Sequence, residues 1–299
     1  MSRSPLTVVI TDGLGNQMFQ YASALGFAQR RGVPLLVDGE SGFQWNIHGR
    51  RYELDAFRLT SKTVPATRGR IVHAAIRQLE DMAMNLGHYH QPALDWWMAN
   101  YATRVTGFLQ SPLYFKGSEA VIRDEFRLRR TPPDAVAAMA DSGKGKETVG
   151  IHIRQQHAFS ANGEKVTPAL SGPKYEGEIS AYYRAAVKLI QQRVADPHWV
   201  VVTDTEPFDP ASIGITGGTA SGSTGRVSVR YPDSSLSPVY DQWLLSQCKH
   251  IIIGRSTFSW WAAWLAGPNR GITCAPAIFR PGGGLSVAKD LYPKEWEVL

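Results

Sequence analysis

Cysteine is almost missing from this chain of 299 residues and 33.0 kDa: Cys248 and Cys274 are the only two. One pair cannot build a disulfide framework, so stability has to come from a packed core. Long apolar runs are missing as well, and no stretch approaches the roughly 18 consecutive apolar residues of a membrane span. The opening residues, MSRSPLTVVITDGLG, lack the apolar core and cleavage-type sequence of a secretory signal. Charged residues make up 19% against 43% hydrophobic, which excludes a disordered polyelectrolyte and leaves ample core material. These absences predict a soluble, cytoplasmic globular protein, and the length predicts two domains.

What charge there is leans positive, at +6 with a pI near 9.3. Residues 50–130 hold thirteen Lys or Arg against eight Asp or Glu, so nearly all the excess lies there. Such a balance suits an acidic partner, either a phosphorylated small molecule, an anionic glycan or the inner membrane surface touched peripherally, or only solvent. The basic residues are scattered and no nucleic-acid reading motif accompanies them, so nucleic acid is not expected. Oligomeric state leaves no mark on the sequence.

The order of elements predicts a parallel α/β architecture. Leu6–Ile10 is a β-branched run, followed by a glycine-containing turn and then Met18, Tyr21, Ala22, Leu25 and Ala28 at helical spacing. Gly32 ends that helix, and Pro34–Asp38 reads as a second strand. Residues 41–105 are aromatic and basic, with a helix over Arg70–Leu86 and a Trp96-Trp97 pair, and Gly107–Ser111 is placed as a return to the first sheet. Residues 131–147 read as a short helix running into a Ser/Gly/Lys loop, which puts the domain boundary at 145/146. Alternation then resumes: strand Thr148–Ile153, helix Ala181–Arg193, strand Trp199–Thr203, helix Val239–Cys248, strand Ile251–Ile253, helix Phe258–Leu265, strand Gly271–Cys274. The Ser/Gly/Thr-rich residues 211–225 read as a surface loop.

Four segments carry chemistry-bearing residues, three of them at the carboxyl end of a predicted strand, where ligands of open parallel sheets bind. Gly13-Leu14-Gly15-Asn16-Gln17 joins strand to helix; its glycines allow close backbone approach and the helix start favours an anion. It lacks the third glycine of a dinucleotide fingerprint and the Lys-Ser/Thr of a P-loop. Next, strand TVGIHI brings His152 and Arg154 to one face. Arg154 at such a rim is costly to leave unpaired, and its fork suits a phosphate, a carboxylate or an internal Asp. Asp204-Thr205-Glu206 follows a valine strand and serves either ribose hydroxyls, a helix cap, or a divalent ion held in an acidic triplet. The fourth segment runs from Asp241 through DQWLLSQCKHIIIGRSTFSWW; Gly254–Ser259 set hydroxyls and amides at a helix start, an anion cradle. Trp260, Trp261 and Trp264 read as core. The histidines show no metal-ligand spacing, so no metal site is predicted.

GLGNQMFQYASALGFAQRRG, the strand ending HIR, the TD after a valine strand, and DQWLLSQCKHIIIGRSTFSWWAAWL together resemble the bacterial α-1,2-fucosyltransferase family, glycosyltransferase family 11. The resemblance spans residues 8 to 276. It implies a GT-B fold of two Rossmann-like domains facing across a cleft: residues 1–145 on the acceptor side and 146–299 holding the donor. It also implies GDP-fucose as donor, a glycan acceptor such as a galactose 2-OH, inversion at the anomeric carbon, and no required metal or cofactor. Residue by residue, it implies Arg154 on the donor's β-phosphate, His152 beside guanine or ribose, and Asp241 accepting from guanine's N1 and N2. Asp204 joins the donor side. Ser256, Thr257 and Phe258 would face the diphosphate, with Gly15 and Asn16 facing phosphate or acceptor from the first domain.

The sequence departs from the family pattern in two places. The H-x-R-R-x-D block becomes His152-Ile153-Arg154-Gln155-Gln156-His157, losing its second arginine and its aspartate, and Asp12 stands where a glycine is usual before Gly13. These departures leave open a changed donor or a relative that only binds nucleotide or glycan. The acceptor hydroxyl must also lose a proton in an inverting displacement; Asp12, His157 and the leaving phosphate itself are the candidates.

Overall fold

The computed structural model describes residues 4–44, 49–66, 70–154, 158–159, 165–166, 173–204, 207–215, 227–231, 233, 235–268, 270–279 and 287–299. The chain divides into two compact units. One comprises Met1–Thr131 and Gly283–Pro293, the other Pro132–Gly282 and Lys294–Leu299.

The first unit is built on β1 (Leu6–Val9), β2 (Leu35–Asp38), β3 (Lys62–Val64) and β4 (Arg104–Val105), in the order β3-β2-β1-β4 with every pair parallel. The return to this sheet is therefore Arg104–Val105, and residues 107–111 follow it as an irregular segment, contrary to the placement of Gly107–Ser111. Helix α1 (Leu14–Arg31) crosses from β1 to β2. It is buried on nearly every side from Leu14 to Ala28, so its core includes Gln17, Gln20 and Ser23 beside Met18, Phe19, Tyr21 and Phe27. It ends where expected: Gly32 takes φ 65°, a left-handed cap that an L side chain adopts at a cost. Helices α2 (Arg70–Asn85), α3 (Pro92–Asn100) and α4 (Glu119–Glu125) complete the unit.

The second unit holds the larger sheet. Its strands are β5 (Thr148–Ile153), β8 (His198–Thr203), β9 (Val227–Arg230), β10 (His250–Ile252), β11 (Thr273–Ala275) and β12 (Glu297–Val298), while β6 (Ala158–Phe159) and β7 (Lys165–Val166) form a separate hairpin. The order is β12-β11-β10-β5-β8-β9, again all parallel. β5 and β8 are buried at all six positions, the continuous apolar pattern of central parallel strands. Helix α6 (Pro173–Arg193) covers one face through Tyr183, Val187 and Ile190. Helix α5 (Asp134–Ser142) packs against α7 (Val239–Gln247), which explains why the division falls at Thr131/Pro132 and not after residue 145. Helix α8 (Thr257–Ala266) buries Trp260, Trp261 and Trp264, with Trp260 and Trp264 stacked at 6.3 Å, so these rings are core. Residues 216–225 of the predicted surface loop lie outside the described residues. Among the described residues, no helix is long and apolar enough to cross a membrane.

Candidate active site

The carboxyl rim of the second sheet gathers most of the predicted residues. β5 ends at Ile153 and β8 at Thr203, and these two are register partners, so Arg154 and Asp204 leave neighbouring strands at one level. The Asp204 amide donates to the Ile153 carbonyl at 3.3 Å. Next to β5 on its other side, β10 runs into Gly254 and the start of α8. There Ser256 is the N-cap, with φ −151°, and its hydroxyl accepts from the Phe258 amide at 3.3 Å. The same oxygen accepts from Arg154 Nη1 at 3.3 Å. Arg154 is thus steered toward the helix start, although its side chain remains largely exposed.

The turn from Gly254 to Ser259 is fixed from within. The Gly254 amide donates to the Ser259 hydroxyl and the Ser256 amide to the Gly254 carbonyl. The Gln242 amide group donates to the Phe258 carbonyl at 3.0 Å, tying the cradle to α7. Gly254 has a steric role: a Cβ there would meet the Tyr183 hydroxyl at 2.6 Å and the His152 carbonyl at 3.0 Å.

His152 lies against the Phe258 ring, with centroids 5.0 Å apart. Burial pushes its pKa down to about 3, with a smaller push from the Arg154 charge, so the imidazole is neutral. Its Nδ1 is buried with no hydrogen-bond partner among the described residues, an orphan of the kind that a ligand completes.

Asp241, in the first turn of α7, is paired with a residue that the sequence reading missed. Arg230 Nε lies 2.9 Å from Asp241 Oδ1, with side chains 15% and 18% exposed. Burial raises the Asp241 pKa, and the Arg230 bond and charge oppose that rise. Arg230 Nη2 is a second orphan, buried without a partner among the described residues. The signal was present, since Val227–Arg230 (VSVR) alternates and ends in arginine at a strand's carboxyl end, as TVGIHIR does. His157, Gln155, Gln156, Thr205 and Glu206 lie outside the described residues.

In the first unit the glycine loop is organised differently from a bare phosphate cradle. Asp12 has φ 66°, the left-handed conformation that explains why glycine suits this position and why Asp, among L residues, is tolerated. Its carboxylate is engaged: Arg77 Nη1 lies 3.1 Å from Oδ2, and the Thr11 hydroxyl donates to the same oxygen at 2.6 Å. Arg77 in turn sits over the Phe108 ring at 4.1 Å. Gln17, fully buried, donates to the carbonyls of Asp12 and Arg51 and accepts from the Glu53 amide. Gln20 accepts from the Thr11 amide and donates to the Thr11 hydroxyl. Gly15 is buried in the helix, and Asn16 accepts from Gln110 at 2.9 Å.

Among the described residues no group of three or more His, Cys, Asp or Glu could hold a metal ion. Two parallel α/β units with polar side chains gathered at a strand rim define an α/β protein of GT-B type. The NodZ alpha-1,6-fucosyltransferase, solved after soaking with GDP-fucose, shares this fold: TM-score 0.50 at 15% identity, over 88% of this chain and 93% of that one.

The chain belongs to glycosyl transferase family 11, which matches residues 2–299 and bears out the resemblance read from the motifs. Its relatives include the alpha-1,2-colitosyltransferase of Escherichia coli, 24% identical over 96% of each chain. They also include the galactoside alpha-(1,2)-fucosyltransferase 1 of Sus scrofa, 28% identical over 89% of this chain and 67% of that protein.

Proposed function

We propose that the protein transfers fucose from GDP-fucose to a sugar hydroxyl, a galactose 2-OH in the first instance, with inversion. The observation that carries the reading is the grouping of Arg154, Ser256, Phe258 and neutral His152 at one rim of the second sheet. The acceptor oxygen forms its bond to the anomeric carbon as the bond to the β-phosphate oxygen breaks, and negative charge grows on GDP. Arg154, held at the start of α8 by the Ser256 hydroxyl, stabilises that charge together with the Thr257 amide. Neutral His152 adds no competing charge and offers its orphaned Nδ1 to ribose or guanine. Asp204 accepts from ribose hydroxyls. Asp241 accepts from guanine N1 and N2, fixed in orientation by Arg230. The second unit is then the donor side, and Gly15, Asn16 and Asp12 belong to the acceptor side. The acceptor's proton goes to Asp12, His157 or the departing phosphate. The reading requires no metal.

Calorimetric titration with GDP, UDP and ADP tests the donor. The expected result is a clear preference for GDP, and equal affinities would sink the assignment. Arg154→Ala should lower turnover by roughly two orders of magnitude or more with the fold intact, in line with loss of a preorganised charge partner. A second reading is favoured by the colitosyl-transferring relative, matched end to end. Colitose is fucose without its 3-hydroxyl, so turnover of the two GDP-sugars, compared side by side, decides between them.

A further inference from the structure

The first unit contains a cavity of about 860 Å³ that none of the predicted residues enters. It lies at the amino-terminal rim of the sheet: Ser4 precedes β1, Thr103 precedes β4, and Arg30 and Arg31 form the last turn of α1. Asp12 and Asn16 sit at the opposite rim, a strand length away, or about 13 Å for four residues. The volume lies within the range of about 300–1,000 Å³ typical of small-molecule sites.

The lining combines a fixed polar wall with an exposed aromatic face. Asp95 accepts from Arg30 Nη2 and lies 2.9 Å from His90 Nε2, while Arg30 Nη1 donates to the Tyr114 carbonyl. These contacts hold the carboxylate and guanidinium in place before any ligand arrives. Trp96, the next residue of α3 after Asp95, also lines the site; it is 60% exposed and braced by Tyr101 at 5.1 Å between ring centroids. Among the described residues its indole N–H has no partner that would hold it back from a ligand, and it stands at the surface. A large aromatic held in water forgoes the apolar burial it would gain in a core. Lys116 adds an exposed ammonium, so three cations meet one carboxylate at this site.

We infer that this cavity is a second saccharide-binding site, remote from the transfer site, that takes an acidic oligosaccharide. A pyranose presents a face of C–H groups that packs on an indole. Its edge hydroxyls need donor and acceptor together, which the Arg30–Asp95 pair supplies. Lys116 suits one carboxylate. A nucleotide diphosphate fits less well, because the Asp95 carboxylate beside Arg30 repels a phosphate. A flat membrane surface does not fill a concave polar site. The inference stands without the donor assignment. In an enzyme acting on glycans, such a site would hold a distal part of the acceptor chain and raise its effective concentration.

The probes are 3′-sialyllactose and lactose, added to the full chain and read by saturation-transfer NMR and calorimetry. Sialyllactose should bind saturably and more tightly than lactose, and excess GDP should not displace it. Trp96→Ala should weaken it about tenfold, the loss of one aromatic face of buried area, with Trp96→Phe recovering part of the affinity. Lys116→Glu should remove the preference for the acidic sugar. Trp96 is exposed, so thermal melting should show both Trp96 variants folded. No saturable binding, unchanged binding in Trp96→Ala, or displacement by GDP each overturns the proposal. So does loss of binding to phosphatidylglycerol vesicles in Trp96→Ala when the sugar never bound, which would make this face a membrane contact.

Discussion

The Arg230–Asp241 pair can be separated into its parts by a double-mutant cycle of Arg230→Met, Asp241→Asn and the double variant. Both side chains are less than a fifth exposed, so solvent screens them little. Removing one partner of a buried pair costs about 3–5 kcal/mol. The residual exposure, and the place of Asp241 in the first turn of α7, where the helix dipole favours an anion by about 0.3–1 kcal/mol, bring Arg230→Met to roughly 2–3 kcal/mol. The double variant removes both charges and should cost about 1–2 kcal/mol less than the sum of the single losses. The pH dependence has a definite sign. Burial already raises the Asp241 pKa, and loss of Arg230 raises it further. A carboxyl raised in the folded state contributes stability that is present at low pH and lost as pH rises through its folded pKa. The deficit of Arg230→Met should therefore be larger at pH 7 than at pH 4.5. Urea denaturation of all four proteins at both values measures this. A coupling below about 0.5 kcal/mol, or a deficit that does not shrink in acid, would refute the pairing.

Asp12→Ala and Asp12→Gly should differ. Alanine keeps the left-handed strain and loses the Arg77 pair, costing about 1–2 kcal/mol, whereas glycine relieves the strain and should fall within about 0.5 kcal/mol of the parent by urea denaturation. Glu80 is buried beneath residues 107–109; burial pushes its pKa up to about 7, against hydrogen bonds from the Phe108 and Leu109 amides. Stability tied to its protonated form is present below its unfolded value and is lost as pH rises through 7, by up to roughly 3 kcal/mol, and Glu80→Gln should flatten that part of the stability–pH curve. Gly254→Ala should lower the melting temperature, because the added methyl meets the buried Tyr183 hydroxyl and a backbone carbonyl, an overpacking cost of about 1–3 kcal/mol; an unchanged melting temperature would show that the turn can yield.

The alternation of strand and helix was legible because parallel strands are buried on both faces and read as apolar runs. β5 coincides with TVGIHI, and β1, β2, β8 and β10 fall within a residue or two of their runs. Short edge strands were not legible. β3 and β12 are two or three residues long and largely exposed, so their sequences carry no periodicity. The second rim was largely legible, since Arg154, His152, Ser256 and Phe258 do meet there. Its ion pair was not, because Arg230 and Asp241 come from a strand and a helix that follow one another with no fixed spacing. Arg77 and Glu53 were invisible for a stronger reason. Each reaches the glycine loop from a distant segment, and an isolated Arg or Glu in a helix or loop looks like any solvated charge.

The glycine loop shows what a retained motif can mean. GLGNQ reads as a phosphate cradle, but Gln17 and Gln20 face inward and spend their amides on Thr11, Asp12, Arg51 and Glu53. Buried amides are costly unless fully bonded, so their positions are restricted by the loop they hold, whatever ligand approaches it. The motif is then specific because it sets the left-handed turn at residue 12 against the start of α1. In the second unit Arg230 Nη2 and His152 Nδ1 are buried and have no partner among the described residues, and that argues for placing the nucleotide there.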